Sequence, residues 1–276
     1  MKIKIYVLTY DDEHHLNTGL NGLFSSNLAA YDTSVFIINN HTNFNLHKDF
    51  ENRVSVLHNV LQPDFGTGHC GRNWNQALMH GFKDLNNPDC DLVVCIQDDT
   101  IYYSNWLGLL VKAHTEMGYE FVACGQGDNL CSYTPIAVKK TALWDERFCG
   151  LHYAEHDFFL RVAMYIGDKA SINDRVHGRK YGYNFLPFSI IDKQSWVPGE
   201  KKYQLGSARQ WLDETCHQIL KAKWGKYCEE LIVSEYVNKP MKPNIPGYIY
   251  YPYFEKGIDD LAEKGFNWLY GNNFTP

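Results

Sequence analysis

The chain has 276 residues, a formal net charge of −6 and a sequence pI of about 6.0. This length can bury a substantial core, and it favours one elaborated domain. The acidic balance argues against nucleic acid or an anionic membrane as the main partner, because both bind basic surfaces. No apolar run reaches the roughly 18 residues of a transmembrane helix, and the eight cysteines show no tight metal spacing. We therefore expect a cytoplasmic protein without a transmembrane segment.

The first hundred residues alternate between two kinds of hydrophobic pattern. Three short apolar runs rich in β-branched residues predict buried parallel strands at Ile3–Thr9, Val35–Ile38 and Leu92–Ile96. Apolar residues at helical spacing predict helices between them, at His14–Ala30 and Trp74–Phe82. This order predicts an α/β fold with a mainly parallel sheet and right-handed crossovers.

The remainder of the chain predicts further elements and then a change of character. The order is a helix from Asn105 to about Met117, a strand at Glu120–Cys124, a strand at Thr134–Lys140, and helices at Tyr153–Ile166 and Ala208–Glu230. The segment Asn238–Phe254 carries four prolines among aromatic residues, which predicts an irregular tail that wraps over the sheet.

Polar residues follow each of the three early strands, where ligands bind to open α/β sheets. They are Tyr10 and Asp11, Asn39 and Asn40, and Gln97, Asp98 and Asp99. Two adjacent carboxylates at the end of a buried strand must be paired, solvated or bound to metal. Hard oxygen ligands select Mg²⁺ or Mn²⁺. Capping of the next helix is the alternative, and there Thr100 or Ser104 is the favoured cap.

The segment 92–107, LVVCIQDDTIYYSNWL, resembles the metal-binding segment of GT-A glycosyltransferases, especially family 2. The resemblance implies that Asp99 binds the metal and that Asp98 lies near the ribose. Gln97 stands at the first position of this DxD-like triplet, where the family often has an acid.

Three other segments resemble the same family in the same order: KIYVLTYDDEHHL, VFIINNHT and GTGHCGRNWNQAL. The first implies that Thr9, Tyr10 and Asp11 lie near the nucleotide base. In the second, Asn39 replaces the usual acid, so recognition of the base or ribose would use an amide. In the third, Arg72 matches the arginine of an Arg-Asn pair.

The segment 134–167 resembles the acceptor side of these enzymes. By this resemblance, Glu155 stands where inverting members place a catalytic base. Asp157 is the second candidate, better suited to orient the acceptor or to hold the helix start. The alternative is that these acids only complement the helix dipole. In NDRVHGRKYGYN, His177 resembles a metal ligand. LKAKWG, at 220–225, resembles a segment that often follows the catalytic core, without implied chemistry.

The residues and the resemblance together predict a GT-A fold with a mixed, mainly parallel sheet flanked by helices. We expect a nucleotide-sugar-binding and catalytic core at 1–185 and an irregular, aromatic-rich extension at 186–276. The implied activity is transfer of a hexosyl or deoxyhexosyl group from a UDP-, GDP- or dTDP-linked sugar to a hydroxyl of a glycan or other acceptor. This transfer is predicted to be inverting and to depend on Mn²⁺ or Mg²⁺. The alternatives are a sugar nucleotidyltransferase and a non-catalytic sugar- or nucleotide-binding protein.

Overall fold

A computed structural model describes residues 1–10, 12–41, 44–59, 70–125, 129–148, 151–174, 182–193, 207–225, 233–245 and 247. Two of the predicted site residues, Asp11 and His177, lie outside these ranges. So do residues 226–230 of the predicted last helix and much of the predicted aromatic tail.

The described residues form a seven-stranded sheet. Its strands are β1 Lys2–Thr9, β2 Asp32–Asn39, β3 Ser55–His58, β4 Leu92–Gln97, β6 Phe121–Gly125, β7 Leu130–Tyr133 and β8 Ala170–Asp174. The order across the sheet is β3-β2-β1-β4-β7-β6-β8. Strands β1 to β4 run parallel, β7 is antiparallel to both of its neighbours, and β8 is parallel to β6. The predicted α/β class and mixed, mainly parallel sheet are confirmed.

Helices cover both faces of this sheet. They are α1 Glu13–Ser25, α2 Cys70–Phe82, α3 Trp106–Thr115, α4 Pro135–Thr141, α5 Leu151–Tyr165 and α6 Ser207–Trp224. Alternate residues of β1 enter two separate clusters: Ile5 packs with α1 and α3, while Tyr6 packs with α2, α4, α5 and α6. A strand buried on both faces must be apolar along its length, which explains the continuous run.

The predicted strand at Thr134–Lys140 is wrong. β7 ends at Tyr133 and α4 begins at Pro135. The Thr134 hydroxyl accepts a hydrogen bond from the backbone N–H of Ala137 at 3.2 Å, and proline occupies the first helical position. Both features are typical of a helix start, so local capping chemistry overrides the β-branched composition of this segment.

The predicted helix cap at Thr100 or Ser104 is also wrong. Thr100 lies in a short strand, β5 Thr100–Tyr102, and its hydroxyl donates to the carbonyl of Gln97 at 2.8 Å. Helix α3 begins only at Trp106, with Asn105 as the preceding residue. β5 pairs antiparallel with β9 Ile191–Lys193, which the sequence did not predict.

Two elements from beyond residue 185 pack against the core. β9 pairs with β5, and α6 buries Cys216, Leu220 and Trp224 in the same cluster as α5. The division of the chain at residue 185 stays a prediction. Within the described residues, none of the helices combines the length and the apolarity needed to cross a membrane.

Candidate active site

The carboxyl ends of the parallel strands form one edge of the sheet. Thr9 lies opposite Asn39, Asn39 lies opposite His58, and Gln97 lies opposite Leu8. The register therefore brings three of the predicted site residues, Thr9, Asn39 and Gln97, to the same edge. The backbone N–H of Asp98 donates to the carbonyl of Leu8 at 3.1 Å, which continues this alignment into the acidic pair.

Asn39 is buried and uses its side-chain amide within the protein. Its Nδ2 donates to the carbonyl of His41 at 2.7 Å and lies 3.1 Å from Nδ1 of His58. Its Oδ1 accepts from the backbone N–H of His41 at 3.1 Å. Both amide hydrogens are thus engaged, because a carboxamide carries two. This geometry gives Asn39 a role in shaping the turn after β2, and it favours that role over direct contact with a base.

The turn held by Asn39 presents an aromatic pair. The rings of Tyr10 and His41 meet edge to face, with centroids 5.3 Å apart and an interplanar angle of 80°. Both residues are half-buried at the edge where β1 and β2 end. A partly exposed aromatic surface of this kind can stack against a planar heterocycle.

A second amide network, which the sequence did not predict, joins β3 to α2. The Nδ2 of the buried Asn59 donates to Oε1 of Gln76 at 2.6 Å, and its second hydrogen faces Oδ1 of Asn40 and Oδ1 of Asn73, each 3.3 Å away. Gln76 donates back to Asn59 at 3.1 Å. The only sequence signal was an unusual set of amides at positions that become buried on folding. The network fixes the first turns of α2 against the strand ends.

A buried amide directly before the neighbouring strand β7 supports the acidic pair. Asn129, which precedes β7 and is fully buried, donates from Nδ2 to Oδ1 of Asp99 at 3.1 Å. Its carbonyl accepts from the backbone N–H of Gln97 at 3.0 Å. Asn129 therefore holds both ends of the Gln97–Asp99 triplet. The sequence alone did not single it out, because its partner lies 30 residues away.

The carboxylates of Asp98 and Asp99 are half-buried and close to Tyr102. Burial is the main cause of the raised pKa of the Tyr102 phenol, and the negative charges of Asp98 and Asp99 raise this pKa further. A carboxylate pair of this kind attracts a cation. Among the described residues, no group of three or more His, Cys, Asp or Glu side chains could hold a metal ion. The pair still fits Mg²⁺ or Mn²⁺, which bind through one or two carboxylates and complete their shells with water and phosphate oxygens.

Arg72 connects α2 to the segment that precedes α5. Its Nε lies 3.5 Å from Oε2 of Glu146, and Oε1 of Glu146 accepts from Asn75 at 2.9 Å. Asn75 also exchanges two hydrogen bonds with the backbone of Trp144, at 2.8 and 2.7 Å. These bonds hold the carboxylate of Glu146 beside the half-buried guanidinium of Arg72.

The two candidate bases lie in the first half of α5 but in different environments. Glu155 is half-buried, whereas Asp157 is fully buried. Asp157 accepts from Arg161 at 2.8 Å and from Trp224 at 2.8 Å, and it pairs with Lys223 at 2.7 Å. Burial would raise the pKa of Asp157, but the charges of Lys223 and Arg161 outweigh it and hold the pKa below its usual range. This environment favours the structural role for Asp157, and the assignment of Glu155 as the base stays a prediction.

Comparison with protein-family models and with curated proteins finds no match. Comparison with solved structures finds glycosyltransferases. Residues 1–349 of S. aureus TarS in complex with UDP-GlcNAc match with a TM-score of 0.53 and 14% identity, covering 86% of this chain and 72% of that one. A mannosyltransferase from Pyrobaculum calidifontis in complex with GDP-Man and Mn²⁺ matches with a TM-score of 0.52 and 11% identity, covering 85% and 69%.

A longer S. aureus TarS structure matches with a TM-score of 0.49 and 11% identity, covering 83% of this chain. The present chain spans only 44% of that TarS chain. At these identities the likeness concerns the fold. The sheet order, the helices on both faces and the matches at TM-scores of 0.53 and 0.52 agree with the fold that the sequence predicted. The chain has the GT-A-like fold of the nucleotide-sugar-dependent glycosyltransferases.

Proposed function

We propose that this protein is a glycosyltransferase that moves a hexosyl or deoxyhexosyl group from a nucleotide-diphosphate donor to an acceptor hydroxyl. The observation that carries the proposal is the position of the Gln97–Asp99 triplet. It stands in register with the ends of β1 and β2, on a fold whose solved relatives are glycosyltransferases. The ligands in those two structures, UDP-GlcNAc and GDP-Man with Mn²⁺, support a nucleotide-sugar donor.

The donor nucleotide would lie along the strand ends. Tyr10 and His41 offer an aromatic edge to the base, with Thr9 beside them and Asp11 assigned to the same subsite by sequence alone. Asp98 would face the ribose. Because Asn39 is engaged with His41 and His58, we assign it to shaping this subsite.

Asp99 would hold the divalent cation that neutralises the leaving diphosphate. Asn129 occupies one carboxylate oxygen and thereby orients the group, as outer-shell donors commonly do at metal sites. His177 is the predicted second protein ligand, from sequence alone. Arg72, fixed by Glu146, supplies a further positive charge on the donor side.

Glu155 would act as the general base. Displacement of a nucleoside diphosphate with inversion requires a group that takes the proton from the acceptor hydroxyl as that oxygen attacks the anomeric carbon. Glu155 is half-buried at the start of α5, two residues from an acid that is already neutralised by Lys223 and Arg161. The ion pairs of Asp157 oppose its protonation, and this favours Glu155 over Asp157 as the base.

Calorimetry with UDP, GDP and dTDP, each with and without Mn²⁺, tests the donor site. We expect at least one nucleotide to bind about tenfold more tightly with Mn²⁺, a gain of about 1.4 kcal/mol. Equal affinity in both conditions for all three nucleotides would contradict the metal-assisted donor site. Release of nucleoside diphosphate from UDP- and GDP-linked sugars then tests chemistry. The anomeric configuration of the product, read by NMR, distinguishes inversion from retention.

A further inference from the structure

Lys223 and Trp224 near the end of α6 belong to a buried ion network that the proposed chemistry does not use. The network contains two acids and three cations: Asp145, Asp157, Lys223, Arg161 and Arg147. The side chains of Asp145, Asp157 and Lys223 are at most 2% exposed. Burying this many charges is costly unless each is paired, so the network must be satisfied in detail.

Lys223 is the residue that joins the two acids. Its Nζ lies 2.9 Å from Oδ2 of Asp145 and 2.7 Å from Oδ1 of Asp157. Trp224 adds a hydrogen bond from Nε1 to the same oxygen of Asp157 at 2.8 Å. Arg147 donates to both oxygens of Asp145, from Nε to Oδ1 at 2.9 Å and from Nη2 to Oδ2 at 2.6 Å. Lys223 is thus a cation that the two carboxylates share.

Each acid lies within two residues, along the chain, of a residue that belongs to the proposed site or contacts it. Asp145 precedes Glu146, the partner of Arg72 on the donor side. Asp157 lies two residues after Glu155, the proposed base on the acceptor side. The Lys223 bridge thus links the backbone segments that carry these two groups. Arg161 strengthens the link, because it binds Asp157 and also donates to the carbonyls of Thr141 and Leu143.

We propose that Lys223 and Trp224 are positioning residues that fix the distance between the donor side at Arg72 and the base at Glu155. The expected effect on donor turnover rests on the proposed function. The Lys223 bridge also gives the Lys-Trp-Gly segment a role: the carbonyl of Lys223 accepts from the backbone N–H of Asn244 at 2.8 Å, so the later chain is anchored at the same point.

The test compares Lys223→Met, which keeps the length of the side chain but removes its charge, with Leu110→Ala. Leu110 is buried in α3 on the opposite face of the sheet, so its truncation lowers stability without touching the network. Both are studied at a temperature where each is fully folded. Trp224→Phe, which removes the N–H donor together with part of the buried ring, is the second variant and is used in the same test if Lys223→Met does not fold.

Two measurements are made on the full chain. Hydrogen exchange at residues 151–157 should accelerate about tenfold or more in Lys223→Met, and not in Leu110→Ala, because only the first variant releases α5. For donor turnover, kcat should fall about tenfold or more while the nucleotide Kd changes less than twofold. Similar exchange and kcat in the two variants would reduce the network to a general stabilising role and overturn the proposal.

The two hypotheses fail in different ways. If the unaltered protein binds no nucleotide and turns over no donor, the proposed function fails, while the exchange measurement still tests the link between α6 and α5. If donor turnover is present but Lys223→Met leaves both α5 exchange and kcat unchanged, only the positioning role fails.

Discussion

Helix α1 packs so closely on the acidic pair that one methyl group should disturb it. A Cβ added at Gly19 would lie 2.7 Å from the backbone carbonyl oxygen of Asp98 and 3.7 Å from that of Thr100. Ordinary contact begins at 3.4 Å, so helix and loop would have to separate by about 0.7 Å. The neighbour is backbone rather than a mobile side chain, so relief of the contact displaces α1 relative to the segment that carries Asp99.

We expect Gly19→Ala to weaken the metal-assisted binding of nucleotide. Overpacking of this kind costs about 1–3 kcal/mol, and the better helix propensity of alanine offsets about 1 kcal/mol of it. The net loss of stability should therefore be modest, at about 0–2 kcal/mol. The affinity measured with Mn²⁺ should fall about tenfold or more, because misplacement of the Asp99 carboxylate weakens a bond that depends on geometry.

Gly22→Ala is the matched control. Gly22 lies one turn later in the same helix, and its added Cβ would meet the ring of Tyr102 at 3.1 Å, a longer contact and one with a side chain rather than with backbone. Thermal melts would report stability, and calorimetry with and without Mn²⁺ would report binding. If Gly19→Ala bound nucleotide with the same Mn²⁺ dependence as the unaltered protein and Gly22→Ala, the close packing would not matter to the site.

Four further outcomes follow from the contacts described. Asp99→Ala should abolish the effect of Mn²⁺ on nucleotide affinity, measured by calorimetry, and an unchanged Mn²⁺ dependence in this variant would place the cation elsewhere. In the same assay, Asn129→Ala should reduce the effect of Mn²⁺ on nucleotide affinity about tenfold. Glu155→Gln should retain nucleotide affinity but lose transfer, and full turnover in this variant would exclude it as the base. Burial raises the pKa of Asp145, but the charges of Lys223 and Arg147 hold it well below its ordinary value. Its contribution to stability is complete above the unfolded pKa of about 4 and is lost as pH falls toward the folded pKa. Urea unfolding between pH 7 and pH 3 should show this loss, and Asp145→Asn should show a shallower pH dependence.

Strands that are buried on both faces were predictable because their pattern is local. β1, β2 and β4 read as apolar runs, and the polar residues after them marked the edge where ligands bind to such sheets. The incorrect prediction of a strand at Thr134–Lys140 shows that β-branched composition alone does not predict a strand. There, a threonine cap and a proline at the first helical position decided in favour of α4.

The finer roles within the site depended on partners distant in sequence. Asn39 was predicted to recognise the base or the ribose, yet its amide is engaged with His41 and His58. Asn129 could not be recognised from the sequence, because it contacts Asp99 only after β7 has packed beside β4. In the sequence, Glu155 and Asp157 are two acids within one helical turn and cannot be distinguished. In the structure they differ, because Lys223 of α6 forms a buried ion pair with Asp157, whereas Glu155 is half-buried.

By itself, the sequence determined the α/β class, the strand ends that form the candidate site and the likeness to GT-A enzymes. These depend on hydrophobic periodicity and on residues close together in the chain. Tertiary structure alone decided which polar side chains are engaged inside the protein, as Asn39 and Asp157 are. The physical reason is that burial and charge pairing set the behaviour of a carboxylate or amide, and both arise from residues as far apart as Asp145 and Lys223.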